Sequence, residues 1–170
     1  KDYKMKVAFD NLPNESRIWI YQALKPINQE QLTIIQSTMD DFIEVWDSHG
    51  APLQASYTII DDQFIVLGVN ENYNQVSGCS IDKSVAVFKA LEEKTGLSLL
   101  EKAMVGYQTN DGVKLVDFRA IKEVIASGEI TPDTKIYDIT ITSMDRFKEN
   151  WPIPAKDTWV NRFLGVKTMA

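Results

Sequence analysis

The sequence holds one cysteine and one histidine, Cys79 and His49. A single thiol cannot close an internal disulfide, so a reducing, cytoplasmic setting is the simplest expectation. One thiol and one imidazole also fall short of the ligand set of a structural zinc site. The acidic turn Asp61-Asp62 lacks the spaced oxygen ligands and glycine of a calcium loop. No metal and no cofactor is expected. Basic side chains number 18 against 24 acidic ones, a net charge of -6, and they form no cluster along the chain. Phosphate backbones and anionic lipid surfaces both demand clustered Lys and Arg, which disfavours nucleic-acid and membrane partners. No apolar stretch is long enough to cross a bilayer, and no charged segment followed by an apolar core opens the chain. Met5 suits an initiator, and Lys1-Asp2-Tyr3-Lys4 are set aside from the fold reading.

What is present argues for a packed globule. Of 170 residues, 44% are hydrophobic and 25% charged, and the four Trp, six Tyr and seven Phe supply large bodies to bury. Residues 16–22 alternate Ile18 and Ile20 with Arg17, Trp19 and Tyr21, which reads as an interior strand. Asn28 suits a helix N-cap, and Leu32, Ile35, Met39, Phe42 and Trp46 form one helical stripe that Gly50 would stop. Residues 55–60 and 64–69 read as a hairpin around Asp61-Asp62-Gln63. Ser80 reads as the cap of a second helix with Ile81, Val85, Phe88 and Leu91 buried and Gly96 at its end. A strand over 104–108 completes a β-α-β-β-α-β order. The fold class is therefore expected to be α+β, with a ferredoxin-like core over residues 5–108 whose first and third strands are central. A smaller α+β unit over 109–170 would pack on that core, the whole forming one compact domain if the two merge. That unit holds a hairpin turn at Asn110-Asp111-Gly112, a short helix capped by Asp117 and closed at Gly128, a strand over 135–142, and a short helix from Ser143 toward Trp151. Trp159, Arg162 and Phe163 sit in its last segment.

Several fragments carry a family resemblance: Ser16-Arg17-Ile18-Trp19-Ile20-Tyr21-Gln22, Trp46 with His49-Gly50, Ser77-Gly78-Cys79-Ser80-Ile81-Asp82, and Trp151, Pro154-Ala155-Lys156-Asp157 and Arg162-Phe163 near the end. From about Phe9 to Leu164 the chain resembles a family of small bacterial proteins that go under the label "ABC transporter ATPase". The resemblance implies no catalytic residues. A phosphate-binding loop of the G-x-x-x-x-G-K-[ST] type is not in the sequence, because Lys83-Ser84, Lys94-Thr95 and Lys167-Thr168 follow Asp82, Glu93 and Val166 instead of Gly. The segment from Phe118 to Ser127, then Gly128-Glu129-Ile130-Thr131-Pro132-Asp133-Thr134 and the later Trp151, is similar to GYF-type adaptor domains. Those domains bind proline-rich peptides on exposed rings. Here Gly106-Tyr107 is followed by Gln108 where the signature of that family has Phe.

Three sets of residues could carry chemistry. At Ser77, Gly78, Cys79, Ser80 and Asp82, the start of a helix offers amides to an anion, and Cys79 could act there as a nucleophile or redox sensor. The competing and favoured reading is a Ser80 cap with a small buried thiol beside it. His49 could serve Cys79 as a base, though a histidine at a helix end is explained by the dipole alone. Arg17, Trp19 and Tyr21 share a strand face that could stack bases on an open sheet, or be buried by the C-terminal unit, which is favoured. Adjacent acids such as Asp40/Asp41 and Glu92/Glu93 point apart on a helix and read as solvated faces. The leading expectation is a non-enzymatic interaction or accessory module with a protein partner or a second copy of itself. The alternatives are a small-molecule or thiol-dependent enzyme using Cys79, and an anion or nucleotide binder at residues 77–82.

Overall fold

A computed structural model describes residues 7–165; Met5 and Lys1–Lys4 lie outside the described residues. The class is α+β with antiparallel sheets. The chain divides into two units. The first runs through Glu101 and takes in Ile141–Asp145; the second is Lys102–Thr140 with the chain from Arg146 onward.

The first unit is organised by a three-stranded sheet, and its alternating sequence decides which side chains go to which face. Arg17–Gln22 (β1) leads to the helix Gln29–Val45 (α1), then to a two-residue ribbon of Asp47–Ser48 (β2) and Ala51–Pro52 (β3). Ala55–Ile60 (β4) and Phe64–Val69 (β5) follow as a hairpin, and Gly78–Thr95 (α2) closes the run. The strand order is β1-β5-β4, so β5 alone is central, and all six of its residues are buried. Trp19 and Tyr21 of β1, and Ile65, Leu67 and Val69 of β5, pack with Ile35, Met39, Phe42 and Trp46 of the α1 stripe and Phe88 and Leu91 of α2.

Local signals in the sequence set the helix ends. Asn28 Oδ1 accepts the Gln31 amide at 2.8 Å and Gln31 Oε1 accepts the Asn28 amide at 2.9 Å, a reciprocal cap of the kind that contributes about 1 kcal/mol. Gly96, at φ 73°, closes α2 in the left-handed region. Two ends differ from expectation. Helix α1 stops at Val45, because Trp46 turns into extended backbone and sends its indole N–H to the Ser80 carbonyl at 2.9 Å. Gly50 is then not a helix stop; with His49 it makes the tight β2–β3 turn, at φ 50° and 84°. Helix α2 begins one turn ahead of the expected Ser80, with Ser77 as its cap, and its buried line is Ser80, Ser84, Phe88 and Leu91, with Ile81 and Val85 only half-buried. Ser84 is satisfied there by donating its hydroxyl to the Ile81 carbonyl at 2.6 Å, and Ser80 carries the carbonyl that receives the Trp46 indole.

The opposite sheet face is closed by other parts of the same unit. Gly68 pairs with Ile18 on one side and Ser56 on the other. A Cβ at Gly68 would stand 2.7 Å from Leu12 Cδ1 and 3.3 Å from Phe9 Cε2, with Met144 Cε next at 3.5 Å. The outer edge of β1 is also covered: Ile18 donates to the Thr142 carbonyl and Met144 to the Ser16 carbonyl, each at 2.9 Å.

The second unit is a four-stranded antiparallel sheet in the order β7-β6-β8-β9. Met104–Thr109 (β6) and Gly112–Asp117 (β7) are the expected hairpin, and a 3-10 turn over Phe118–Ala120 leads into Ile121–Ala126 (α3). Lys135–Tyr137 (β8), Ile153–Pro154 (β9) and Asn161–Leu164 (α5) complete it, together with the helix Met144–Asn150 (α4) from Arg146 onward. Val105, Tyr107, Ile121, Ile130, Ile136, Ala155 and Val160 form its core. The strand expected to complete the first sheet, residues 104–108, thus belongs to the second one. It pairs with β7 and β8, and β1 is left at the border of its sheet instead of at its centre.

Replacing Gly68 with Ala is expected to lower stability by about 1–3 kcal/mol, since Leu12 and Phe9 are both buried and leave the new methyl no room. Denaturant unfolding measures it, and an unchanged midpoint would mean that this face is loosely packed.

Candidate functional site

The largest departure from regular pairing in the second unit produces its cavity. Strands β6 and β8 pair only at Gly106–Tyr137 and Tyr107–Ile136. Immediately after Tyr137, Asp138 Oδ1 accepts the Thr140 amide at 2.9 Å and the Thr140 hydroxyl at 2.6 Å. Such a turn curls the backbone on itself and ends the strand that the sequence extends to residue 142. The Trp151 indole N–H holds the Asp138 carbonyl at 2.9 Å and fixes the bend. Between Met104 and Val105 on one side and residues 138–140 on the other lies a hollow of about 510 Å³, within the range of ligand pockets.

Aromatic and charged groups border this hollow. Phe118, 46% exposed, meets the Trp159 ring at 5.6 Å and the Phe163 ring at 6.4 Å between centroids. Trp159 and Phe163 are perpendicular at 6.1 Å, the edge-to-face geometry that ring quadrupoles favour. The Arg162 guanidinium stands 5.9 Å from the Trp159 centroid and 5.3 Å from that of Phe163, so the cation lies against the rings. At the rim, Arg119 Nε and a terminal nitrogen donate to the two Asp117 oxygens at 3.0 and 2.9 Å, and the Arg119 amide adds a bond of 2.8 Å. The guanidinium, and after it the amide, hold the Asp117 carboxyl well below the usual range, at about 2. Asp138 is buried in the wall, its Oδ1 bonded only to Thr140 among the described residues. Among the described residues the lining has no cysteine, serine or histidine. An apolar recess with half-exposed rings and fixed charges is equipped to bind.

The residues singled out in sequence lie in the first unit, in three separate settings. Ser77 and Ser80 cap α2 reciprocally: each hydroxyl accepts the other's amide at 3.1 Å, and the hydroxyls are 2.8 Å apart. The amide of Ser80 is thereby satisfied within the protein. Gly78 and Asp82 are exposed. Cys79 is exposed too, contrary to the buried thiol expected, because Ser80 takes the inward position. His49 is exposed in the β2–β3 turn, and no hydrogen bond joins it to Cys79 among the described residues. Asp47, beside that turn, receives Lys83 Nζ at 2.6 Å and the Gly50 amide at 2.8 Å; Lys83, then the Gly50 amide, hold its carboxyl low.

Arg17, Trp19 and Tyr21 do share a face. It is covered by the helices of the first unit, not by the C-terminal unit as expected and not open to solvent. Tyr21 stacks on Phe88 at 3.5 Å, Trp19 meets Trp46 edge-on at 6.0 Å, and the Arg17 guanidinium lies 4.9 Å from the Trp19 centroid. Burial pushes the Tyr21 hydroxyl up, with Ser84 opposing. Sequence reasoning placed Trp159, Arg162 and Phe163 in the last segment without giving them a site. It missed Phe118 and Asp138, although an aromatic directly after a capping Asp, off the helical stripe, is a signal for Phe118.

Among the described residues no three His, Cys, Asp or Glu side chains come together to hold a metal ion, and no helix is long and apolar enough to cross a membrane. No protein-family model, no curated protein and no solved structure matches this chain.

A carboxyl held low in the folded state contributes stability that is complete above its unfolded value near ~3.9 and is lost as pH falls through its folded value. The Asp117–Arg119 pair is therefore expected to stay charged from neutrality down to pH 4, with a carboxyl carbon-13 midpoint at about 2. In Arg119→Gln that midpoint should rise toward ~3.9. Equal midpoints in the two proteins would show that Arg119 does not hold the carboxylate.

Proposed function

We propose that this protein is a non-enzymatic interaction module whose second unit receives a proline-rich peptide segment. The observation that carries this reading is the half-exposed Phe118 ring, set against Trp159 and Phe163 at the mouth of an apolar hollow. Proline-rich segments are pre-formed in an extended helix and pack their rings on aromatic side chains, so they lose little entropy on docking. The similarity of residues 118–134 to GYF-type adaptor domains supports the same ligand class. The first unit, with the strand order of the first three strands of a split βαβ arrangement, acts as the scaffold. A bacterial cytoplasm suits the chain, since the exposed Cys79 thiol stays reduced there.

Titration of the full-length protein with a synthetic proline-rich decapeptide tests it. Binding should shift Trp159 emission and the amide resonances of residues 117–119 and 138–140, and Phe118→Ala should weaken it by about tenfold or more. A glycine-serine peptide of equal length should not bind. Resonance changes confined to other residues, or an unaffected Phe118→Ala variant, would end the proposal.

A second reading rests on the exposure of Cys79 at the start of α2. If the thiol is a reaction centre, its rate with a disulfide reagent should remain high at neutral pH and fall sharply in Ser77→Ala, which opens the cap. A rate that rises only in the alkaline range, as for free cysteine, would dismiss it.

A further inference from the structure

The two borders of the first sheet are treated differently. At β1 the outward groups of Ile18 and Ser16 are bonded to Thr142 and Met144. At β4 the outward groups can be identified from the ladder. Asn70 donates to the Gln54 carbonyl at 2.9 Å, and the register pairs Ala55 with Val69, Ser56 with Gly68 and so on. Antiparallel pairing alternates, so Ser56, Thr58 and Ile60 bond to β5, while the amides and carbonyls of Ala55, Tyr57 and Ile59 point away from it. None of those three residues has a backbone hydrogen bond on that side among the described residues. The strand itself carries neither a charge nor a proline, two of the usual guards of an open edge, since it reads Ala-Ser-Tyr-Thr-Ile-Ile.

A hollow of about 520 Å³ runs along this edge. Ser56, Tyr57, Thr58 and Ile59 belong to β4; α1 supplies Leu32, Gln36 and Asp40, and Ala8 and Phe9 line it as well. Both faces of the strand are thus flanked, leaving space beside its backbone. Asp40 and Asp62 are the charged residues of the lining among the described residues, with no Lys or Arg beside them there. Asp40 accepts the Tyr57 hydroxyl at 3.0 Å, and burial together with that carboxylate pushes the Tyr57 hydroxyl well up, so Tyr57 remains a neutral donor.

We infer that β4 is a docking edge for an extended peptide that carries basic side chains and adds to the sheet as a fourth strand. Main-chain bonds to Tyr57 and Ile59 give the pairing, and the two carboxylates select for positive charge. This is a second binding surface, independent of the hollow in the other unit.

The test uses full-length protein and an end-capped octapeptide alternating valine with lysine, compared with its valine-glutamate counterpart. At saturation, amide exchange at Tyr57 and Ile59 should slow by about tenfold or more, while Ser56 and Thr58, already bonded to β5, stay unchanged. The glutamate peptide should bind at least about tenfold more weakly. The Asp40→Asn, Asp62→Asn double variant keeps its acceptors, and in it the two affinities should converge to within about threefold. Equal affinities in the unaltered protein, or no protection at Tyr57 and Ile59, would overturn the inference. A dimeric mass with both amides already protected before peptide is added would overturn it too, by making a second copy the occupant.

Discussion

Burial of β5 on both faces is the constraint that the first unit is built to satisfy. A strand reading Phe-Ile-Val-Leu-Gly-Val has no polar side to give to water, so two covers are required. Helices α1 and α2 supply one. They are drawn together at Trp46, whose indole fills the space between them and bonds the Ser80 carbonyl. The other cover is thin: Leu12, Phe9 and Met144 close over Gly68, and only a residue without a side chain lets them come so near. The same constraint explains why the aromatic face of β1 is scaffold. Trp19 and Tyr21 stand on the helix side of the sheet, and their rings complete the packing of Trp46 and Phe88.

The second unit follows a different logic, in which a cavity arises where pairing is interrupted. Had β8 continued beside β6, residues 138–140 would have lain against Val105 and Met104. The Asp138 carboxylate captures the Thr140 amide instead, and the Trp151 indole secures the bend from behind. Tyr137, Phe147 and Trp151 pack around that bend, with centroid separations of 5.3 Å for Tyr137–Trp151 and 5.1 Å for Phe147–Trp151. The recess is therefore walled by groups that hydrogen bonds and ring contacts hold in place. The Asp117–Arg119 pair at the mouth is largely solvated, so it adds little stability.

What could be read from the sequence was local in origin. The stripe of α1, the Asn28 cap, the turn at Asp61-Asp62-Gln63 and the Gly96 terminus each depend on residues within a few positions of one another. The cap of α2 shows where such reading stops: Ser77 and Ser80 each bond the other's amide, so composition marks both and only the fold tells which one opens the helix. The sheet joined by Met104–Thr109 was a choice between distant partners, and local propensity does not contain it. The hollow was harder still, because it depends on where a pairing ceases. Asp138 lay inside the strand expected over 135–142, and Phe118 stood only as the first residue of the adaptor-like segment.

One feature of the chain's path bears on how the protein comes to be folded. The strip Ile141–Asp145 belongs to the first unit, although nearly forty residues of the second, Lys102–Thr140, are synthesised before it. During translation the nascent β1 has its outer amides bare, and Leu12 and Phe9 lack their third companion, Met144, until that strip leaves the ribosome. Chains emerge at about 5–20 residues per second, so an incomplete first unit persists for a few seconds. Shielding by a chaperone during that interval would matter most to this half of the molecule.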